Sequence, residues 1–228
     1  MVAAPPRAAL TDIEVVPMRR RHVRGVMAVE RLVYPRPWSA TLFTSELAQC
    51  DSRRYVVALA PQSDRALFAR KVVGYAGVMV TAEAHITTVA VHPEHHRQKI
   101  ATHLLLAILD EARAMGAEAA ALEVRVANRG AQRLYSGFGF APVGMRPGYY
   151  AETSEDALIM WAHDLQSEAY GARLQRQRVR LSSPGGASGA PDHPVPWVKG
   201  RIGLTEVDRA GRGGSGSADD NGGKPTCW

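Results

Sequence analysis

The chain has few cysteines and no long apolar run, and these absences exclude several classes of protein. Two cysteines in 228 residues are too few for the disulfide framework of a small secreted domain. No run of 18 apolar residues is present, so no membrane-spanning helix is expected. The N-terminal residues, Met1 to Pro6, lack the apolar core of a signal peptide. We therefore expect a cytoplasmic protein that does not bind membranes.

Patterns for metal and nucleic-acid binding are also scarce. No cysteine and histidine spacing is typical of zinc, and the histidines of residues 92–96 lie on a loop without further ligands, so no metal is expected. The net charge is +6, and the densest basic patch is formed by four arginines, Arg173, Arg176, Arg178 and Arg180. Such a patch could contact ribosomal RNA or an acidic partner, but a solvated helix end is the simpler interpretation. Because no aromatic residues are interleaved with it, we expect no specific nucleic-acid binding.

Composition divides the chain into three parts. Residues 1–12 are predicted to be a flexible N-terminus. Residues 13–165 are long enough to form one domain with a buried core. Residues 166–228 are predicted to be a basic, glycine-rich and disordered tail, because the last 46 residues contain 11 of the 21 glycines and no sustained periodicity.

Hydrophobic periodicity within residues 13–165 predicts an α/β fold with a single mixed β-sheet flanked by helices. Strands are predicted at residues 13–18, 54–59, 71–80, 84–92, 119–125, 140–145 and 157–162. Helices are predicted at residues 20–32, 39–48, 100–116 and 128–139. No internal repeat is present.

Residues 119–140 contain a candidate acid and base pair. Glu123 is the one carboxylate in an apolar strand, and Tyr135 lies within the helix that begins near Asn128, a favourable N-cap residue. An acid on a strand and a phenol on the next helix can face one cleft and move protons there. The alternative is structural: a strand glutamate usually faces solvent, and a helix tyrosine usually packs in the core.

Residues 84–116 contain a candidate anion site. An apolar strand leads into a basic loop with Arg97 and Lys99, and a helix follows whose apolar residues recur at spacings of three and four. Free N–H groups at a helix N-terminus bind anions, and phosphate is the usual one. An ordinary strand-to-helix connection with solvated charges is an equally good interpretation of this segment alone.

Together these segments resemble the GNAT acetyltransferase superfamily and, within it, the RimI-like protein N-terminal acetyltransferases. The resemblance extends from about Ile13 to Leu165. The strand end Val91-His92-Pro93 and the loop from His96 to Ala101 resemble the pyrophosphate-binding segment of the family. Further motifs match in the same order: Pro37-Trp38-Ser39, Leu122-Glu123-Val124-Arg125, Asn128 to Phe140, Gly148-Tyr149-Tyr150 and Asp156 to Met160.

The resemblance implies acetyl transfer from acetyl-CoA, as co-substrate, to the N-terminal α-amine of a protein or peptide. A ribosomal protein substrate and association with the ribosome are part of this expectation. Glu123 would be the general base, through a water molecule, and Tyr135 the general acid. Trp38 and Tyr149 would line the peptide cleft. Acetyl-CoA would be bound by the end of the strand, the loop and the N-cap, which comprise Val89, Ala90, Val91, Arg97, Gln98, Lys99, Ile100, Ala101, Thr102 and Asn128.

Two residues depart from the family pattern. His96 replaces the usual Gln or Arg, and Lys99 replaces a glycine that can adopt an unusual φ and lets backbone approach phosphate closely. A Cβ at residue 99 would hinder that approach, while the ammonium would compensate by its charge. Two alternatives therefore stay open: a degenerate domain that binds acetyl-CoA without turnover, and an acetyltransferase for a lysine or a small amine.

Overall fold

Seven strands form one mixed sheet in residues 13–61 and 70–182, which are the residues that the computed structural model describes. In chain order the strands β1 to β7 are Glu14–Pro17, Arg53–Pro61, Arg70–Val80, Ala84–Val91, Ala120–Arg125, Ala141–Tyr150 and Glu155–Ala162. Their order across the sheet is β1-β2-β3-β4-β5-β7-β6. Only β4 and β5 are parallel neighbours; the other pairs are antiparallel. The predicted α/β fold with a single mixed sheet is confirmed.

Helices cover both faces of the sheet. The helices α1 to α5 are Val23–Val33, Ala40–Leu47, Ile100–Ala114, Arg129–Gly137 and Glu168–Ser182, with short 3₁₀ turns at Arg20–His22 and Pro93–His95. Apolar residues of α1 and α2 form one core with β2 and β3. Those of α3, α4 and α5 form a second, larger core. None of the helices in the described ranges is long and apolar enough to cross a membrane.

Helix α3 fixes the position of the basic loop at the end of β4. Six of its eight core residues are at most 1% exposed, and they are Ile100, Leu104, Leu105, Ile108, Leu109 and Ala112. Burying each of the larger side chains stabilises the fold by about 1.5–3 kcal/mol. The apolar stripe therefore fixes α3 against the sheet, so that its N-terminus follows β4 across the short loop of residues 92–99.

The predicted domain boundary at residue 165 is wrong, because an ordered helix follows it. Tyr170 and Leu174 of α5 are 5% and 0% exposed. The Gln177 side chain is also buried, and it donates a hydrogen bond of 2.6 Å to the Gly137 carbonyl at the end of α4. The predicted flexible segments at residues 1–12 and 183–228 lie outside the described residues, as does Cys227.

We expect α5 to contribute to stability through Leu174. Leu174→Ala should lower the free energy of unfolding by about 2–5 kcal/mol, because it leaves a cavity against α3 and α4. Urea denaturation followed by circular dichroism measures this change. Val179→Ala is the matched control, since Val179 is 56% exposed on the same helix and its substitution should cost less than about 0.5 kcal/mol. Equal effects of the two substitutions would show that α5 is not part of the core.

Candidate active site

Strands β4 and β5 pair only where they begin. Ala84 pairs with Ala120 and His85 with Ala121, but β4 continues to Val91 and β5 to Arg125 without further pairing. Two parallel strands that separate in this way leave a wedge-shaped opening in the sheet. The predicted acetyl-CoA residues 89–91 lie on the part of β4 that borders this opening.

A β-bulge explains why β4 turns away from β5. Gly77 of β3 pairs with Thr88, but the next residue, Val78, pairs with Ile86, so Thr87 is an extra residue on β4. Bulges of this kind bend the strand that carries them. The Tyr34 hydroxyl, at the end of α1, occupies part of the resulting opening and donates a hydrogen bond of 3.1 Å to the Val89 carbonyl.

Alternate backbone groups of β4 face the opening. The His92 N–H donates to the Val73 carbonyl of β3, so Ala90 and His92 point toward β3. The Val89 carbonyl accepts from Tyr34, and the Val91 carbonyl lies 3.0 Å from the His96 Nε2, so residues 89 and 91 point the other way. Because the N–H and C=O groups of a strand residue point to the same side, the N–H groups of Val89 and Val91 face the opening.

Glu123 lies at this opening in a charged cluster. It is 3% exposed, with His85 Nε2 at 3.2 Å and Arg146 Nη1 at 3.4 Å from its carboxylate oxygens. The His85 contact has the distance of an ion pair but poor hydrogen-bond alignment. Burial alone would raise the pKa of Glu123, but His85 and, more weakly, Arg146 together lower the pKa below its ordinary value. Glu123 is therefore ionised at neutral pH.

The hydroxyls of Tyr135 and Tyr150 face the same region. Both are buried, and neither has a hydrogen-bond partner in the described residues. Burial raises the pKa of Tyr135 well above its usual range. Burial also raises the pKa of Tyr150; Arg125 opposes this effect, while Tyr135 and Glu123 add to it. Tyr150 is thus within electrostatic reach of both predicted catalytic residues. Since buried polar groups are normally paired, two orphan hydroxyls indicate a place for a ligand.

The basic loop has a backbone that usually requires glycine. Arg97 and Lys99 have φ values of 64° and 58°, in the left-handed region, and Lys99 is the N-cap residue of α3. Such conformations cost about 1–2 kcal/mol for a residue with a Cβ. Lys99 therefore keeps the backbone shape that the family glycine allows. Its ammonium group donates to the Arg180 carbonyl of α5 at 3.0 Å.

The segment between α1 and α2 is anchored to Glu30 of α1. Glu30, fully buried in α1, accepts a 2.6 Å hydrogen bond from the Trp38 backbone N–H and a short one from the Tyr75 hydroxyl. Trp38 is half-buried and packs on Phe43, with ring centroids 5.4 Å apart. The predicted cleft residue Trp38 is therefore also part of the core beside α1 and α2.

The turn between β6 and β7 is held to the end of β5 by an arginine. Arg125, at the end of β5, binds Glu152 and Thr153 of this turn and Glu155, the first residue of β7, at 2.7–2.8 Å. Its guanidinium also lies 3.8 Å from the centre of the Tyr150 ring, a cation–π contact. The neighbouring Tyr149 is half-exposed.

The structure brings most of the predicted residues together, and it adds some that the sequence did not indicate. Asn128 is buried and caps α4 by accepting from the Ala131 N–H at 3.0 Å. His85 was missed because a histidine in an alternating strand has no distinguishing signal. Tyr34 and Arg125 were missed because their contacts join segments far apart in the chain. No group of three or more potential metal ligands occurs in residues 13–61 and 70–182.

The residues around the opening fit acetyl-CoA. The N–H groups of Val89 and Val91 and the hydroxyls of Tyr135 and Tyr150 are donors that an acyl group and its sulfur could use. The N-terminus of α3 and the side chain of Arg97 would supply positive charge for a pyrophosphate.

Comparison with known proteins shows the family of the chain. A sequence profile of the Acetyltransferase (GNAT) family matches residues 23–140. A Bacillus subtilis protein, provisionally named a ribosomal protein bS18-alanine N-acetyltransferase, is 34% identical over 145 residues, covering 63% of this chain and 91% of the relative. The Escherichia coli (strain K12) ribosomal protein bS18-alanine N-acetyltransferase is 33% identical over 135 residues, which cover 58% of this chain and 84% of the relative.

A solved structure shows the same fold. The crystal structure of the ribosomal-protein-S18-alanine N-acetyltransferase from Escherichia coli superposes with a TM-score of 0.57 at 26% identity, covering 67% of this chain and 94% of that one. The chain belongs to the GNAT acetyltransferase family and is an acetyl-CoA-dependent N-acetyltransferase.

Proposed function

We propose that this enzyme acetylates the N-terminal α-amine of a protein, with a ribosomal protein as the first candidate substrate. The observation that supports this most is the buried Glu123 carboxylate at the opening between β4 and β5, 3.2 Å from His85 and 3.4 Å from Arg146. A carboxylate held at this opening can receive a proton from an amine that enters it. The names of the two bacterial relatives, both ribosomal protein bS18-alanine N-acetyltransferases, favour an N-terminal α-amine as that amine.

The electrostatics of Glu123 also favour an α-amine. A carboxylate whose pKa is lowered is a weak base, so it needs a substrate that loses its proton easily. An α-amine has a pKa of about 8 and lysine one of about 10.4, so deprotonating the α-amine is easier by roughly 3 kcal/mol. Glu123 accepts the proton through a water molecule, and the neutral amine then attacks.

The remaining steps use donors on the chain. Acetyl-CoA supplies an activated acyl group. The N–H groups of Val89 and Val91 stabilise the negative charge that develops on the acyl oxygen. The Tyr135 hydroxyl donates to the departing sulfur. Residues 97–102 bind the pyrophosphate, and Asn128, while capping α4, positions the pantetheine arm. Trp38 and Tyr149 contact the first residues of the peptide.

A panel of peptides incubated with acetyl-CoA and analysed by mass spectrometry tests the proposal. We expect acetylation of peptides with a free N-terminus, beginning with those that start with alanine, as the names of the relatives suggest. The same peptides with a blocked N-terminus and one internal lysine are the matched control. Preferential acetylation of the lysine, or of a small amine such as spermidine, would overturn the proposal. Acetyl-CoA binding without any turnover would instead support a non-catalytic domain.

A further inference from the structure

Helix α5 lies outside residues 23–140, the part of the chain that the family profile matches. Its last turn contacts Lys99 of the loop that precedes α3. Arg178 of α5 forms an ion pair with Asp110 of α3. Farther along α5, the Arg180 carbonyl accepts from Lys99, just before α3 begins. The contacts therefore progress along α5 in the direction of the N-terminus of α3. The end of α5 lies beside the turn that the family uses for pyrophosphate.

The charges at this junction are unfavourable without a cation between them. The Arg180 carbonyl oxygen of α5 is a hydrogen-bond acceptor that carries a partial negative charge. A pyrophosphate brings further negative charge to the neighbouring helix N-terminus. The Lys99 ammonium lies 3.0 Å from the Arg180 carbonyl in the last turn of α5, and its own residue is the N-cap of α3. It can neutralise the end of α5 and reduce its repulsion of the phosphates.

We propose that Lys99 is a positioning residue that couples the docking of α5 to the binding of acetyl-CoA. Lys99 acts by holding the last turn of α5 rather than by replacing the phosphate contacts of the loop backbone. The proposal accounts for a lysine in a left-handed position, where φ is 58° and glycine would be unstrained. It rests on acetyl-CoA binding alone and is independent of which amine is acetylated.

Coupling of this kind is reciprocal. If a docked α5 end strengthens acetyl-CoA binding, acetyl-CoA must stabilise the docked end of α5 by the same factor. A lysine that only contacted phosphate would not transmit the effect to α5. A lysine that only fastened α5 would not change acetyl-CoA affinity. A change in both acetyl-CoA affinity and the exchange of α5 therefore distinguishes the proposal from these two alternatives.

The test compares Lys99→Met, Lys99→Arg and Arg176→Gln, using calorimetry for acetyl-CoA binding and hydrogen exchange for the amides of residues 179–182. Methionine and arginine have the same backbone restriction at residue 99 as lysine, so the strain is unchanged. Arginine keeps the charge and the reach. Arg176→Gln removes an equal charge from an exposed position on α5 and is the matched control.

Lys99→Met should weaken acetyl-CoA binding by about 3- to 10-fold. Without ligand, the amides of residues 179–182 should exchange faster in this variant than in the wild-type protein. Acetyl-CoA should slow their exchange in the wild-type protein but not in the variant. Lys99→Arg should restore most of both effects, and Arg176→Gln should change neither by more than about twofold. Weaker binding with unaltered exchange in α5 would overturn the proposal, as would faster exchange with unaltered affinity. Peptide turnover is not measured, so failure of the proposed substrate class would leave this result intact.

Discussion

Glu123→Gln should lower kcat by about 10²- to 10⁴-fold, which is the usual contribution of a positioned proton-transfer group. Glutamine has nearly the same shape as glutamate but cannot accept the amine proton. Acetyl-CoA affinity should change little, because the side chain lies with His85 and Arg146 and away from the α3 loop. Steady-state kinetics with an N-terminal peptide, together with calorimetry, measure both quantities.

The loss caused by Glu123→Gln should depend on pH in a defined direction. Because the pKa of Glu123 is below its ordinary value, the carboxylate is already ionised at pH 6 and does not titrate at higher pH. The rise of wild-type activity between pH 6 and 8 should therefore follow the α-amine, whose pKa is about 8. The variant should be most impaired near pH 6 and least near pH 9, where the amine arrives neutral.

Glu118→Gln provides the matched control for this prediction. Glu118 is an exposed glutamate just before β5, and its substitution removes the same charge without reaching the opening. It should leave kcat within about twofold of wild type. A pH-independent loss in Glu123→Gln would indicate disturbed packing of the charged cluster rather than a missing base.

Much of the fold could be predicted because local patterns agree with tertiary packing. The apolar spacing that begins at Ile100 predicts α3, which is found at residues 100–114. Asn128 predicts the beginning of α4, and its side chain caps that helix. Glu123 is buried beside His85 and Arg146 rather than facing solvent, while its role as the general base stays a prediction.

Helix α5 was missed for a physical reason. Only Tyr170, Leu174 and Leu181 carry apolar surface at helical spacing, and the intervening arginines favour a solvated interpretation. Gln177 occupies a buried position because the Gly137 carbonyl pairs with its amide, a contact 40 residues away in the chain. A buried polar residue of this kind breaks the apolar pattern on which sequence prediction depends.

The opening between β4 and β5 could not be predicted either. It depends on an extra residue, Thr87, in the pairing of β4 with β3, and bulges have no reliable sequence signal. The left-handed backbone at Lys99 was also unexpected, since a residue with a Cβ adopts it only when its surroundings compensate. Contact with α5 supplies part of that compensation.

Tyr135→Phe should lower kcat by about 10²-fold or more while leaving the protein as stable as wild type or slightly more so. Only a hydroxyl is removed, and that hydroxyl is buried without a partner in the described residues, so its loss relieves a desolvation cost. Because burial raises the pKa of Tyr135, complete proton transfer to a sulfur with a thiol pKa of about 8.5 is uphill. In the proposed mechanism the hydroxyl therefore acts mainly as a hydrogen-bond donor that stabilises the departing sulfur.

Tyr170→Phe is the control for this assignment. Tyr170 is also a buried tyrosine whose hydroxyl has no partner in the described residues, but it lies on α5, in the core behind α3. Its substitution should have a similar effect on thermal stability and none on kcat. Loss of activity in Tyr135→Phe alone places the hydroxyl at the reacting sulfur, since the two variants differ only in where the hydroxyl lies. Wild-type turnover by Tyr135→Phe would instead make the Tyr150 hydroxyl the candidate donor, since it is the other unpartnered hydroxyl within electrostatic reach of Glu123.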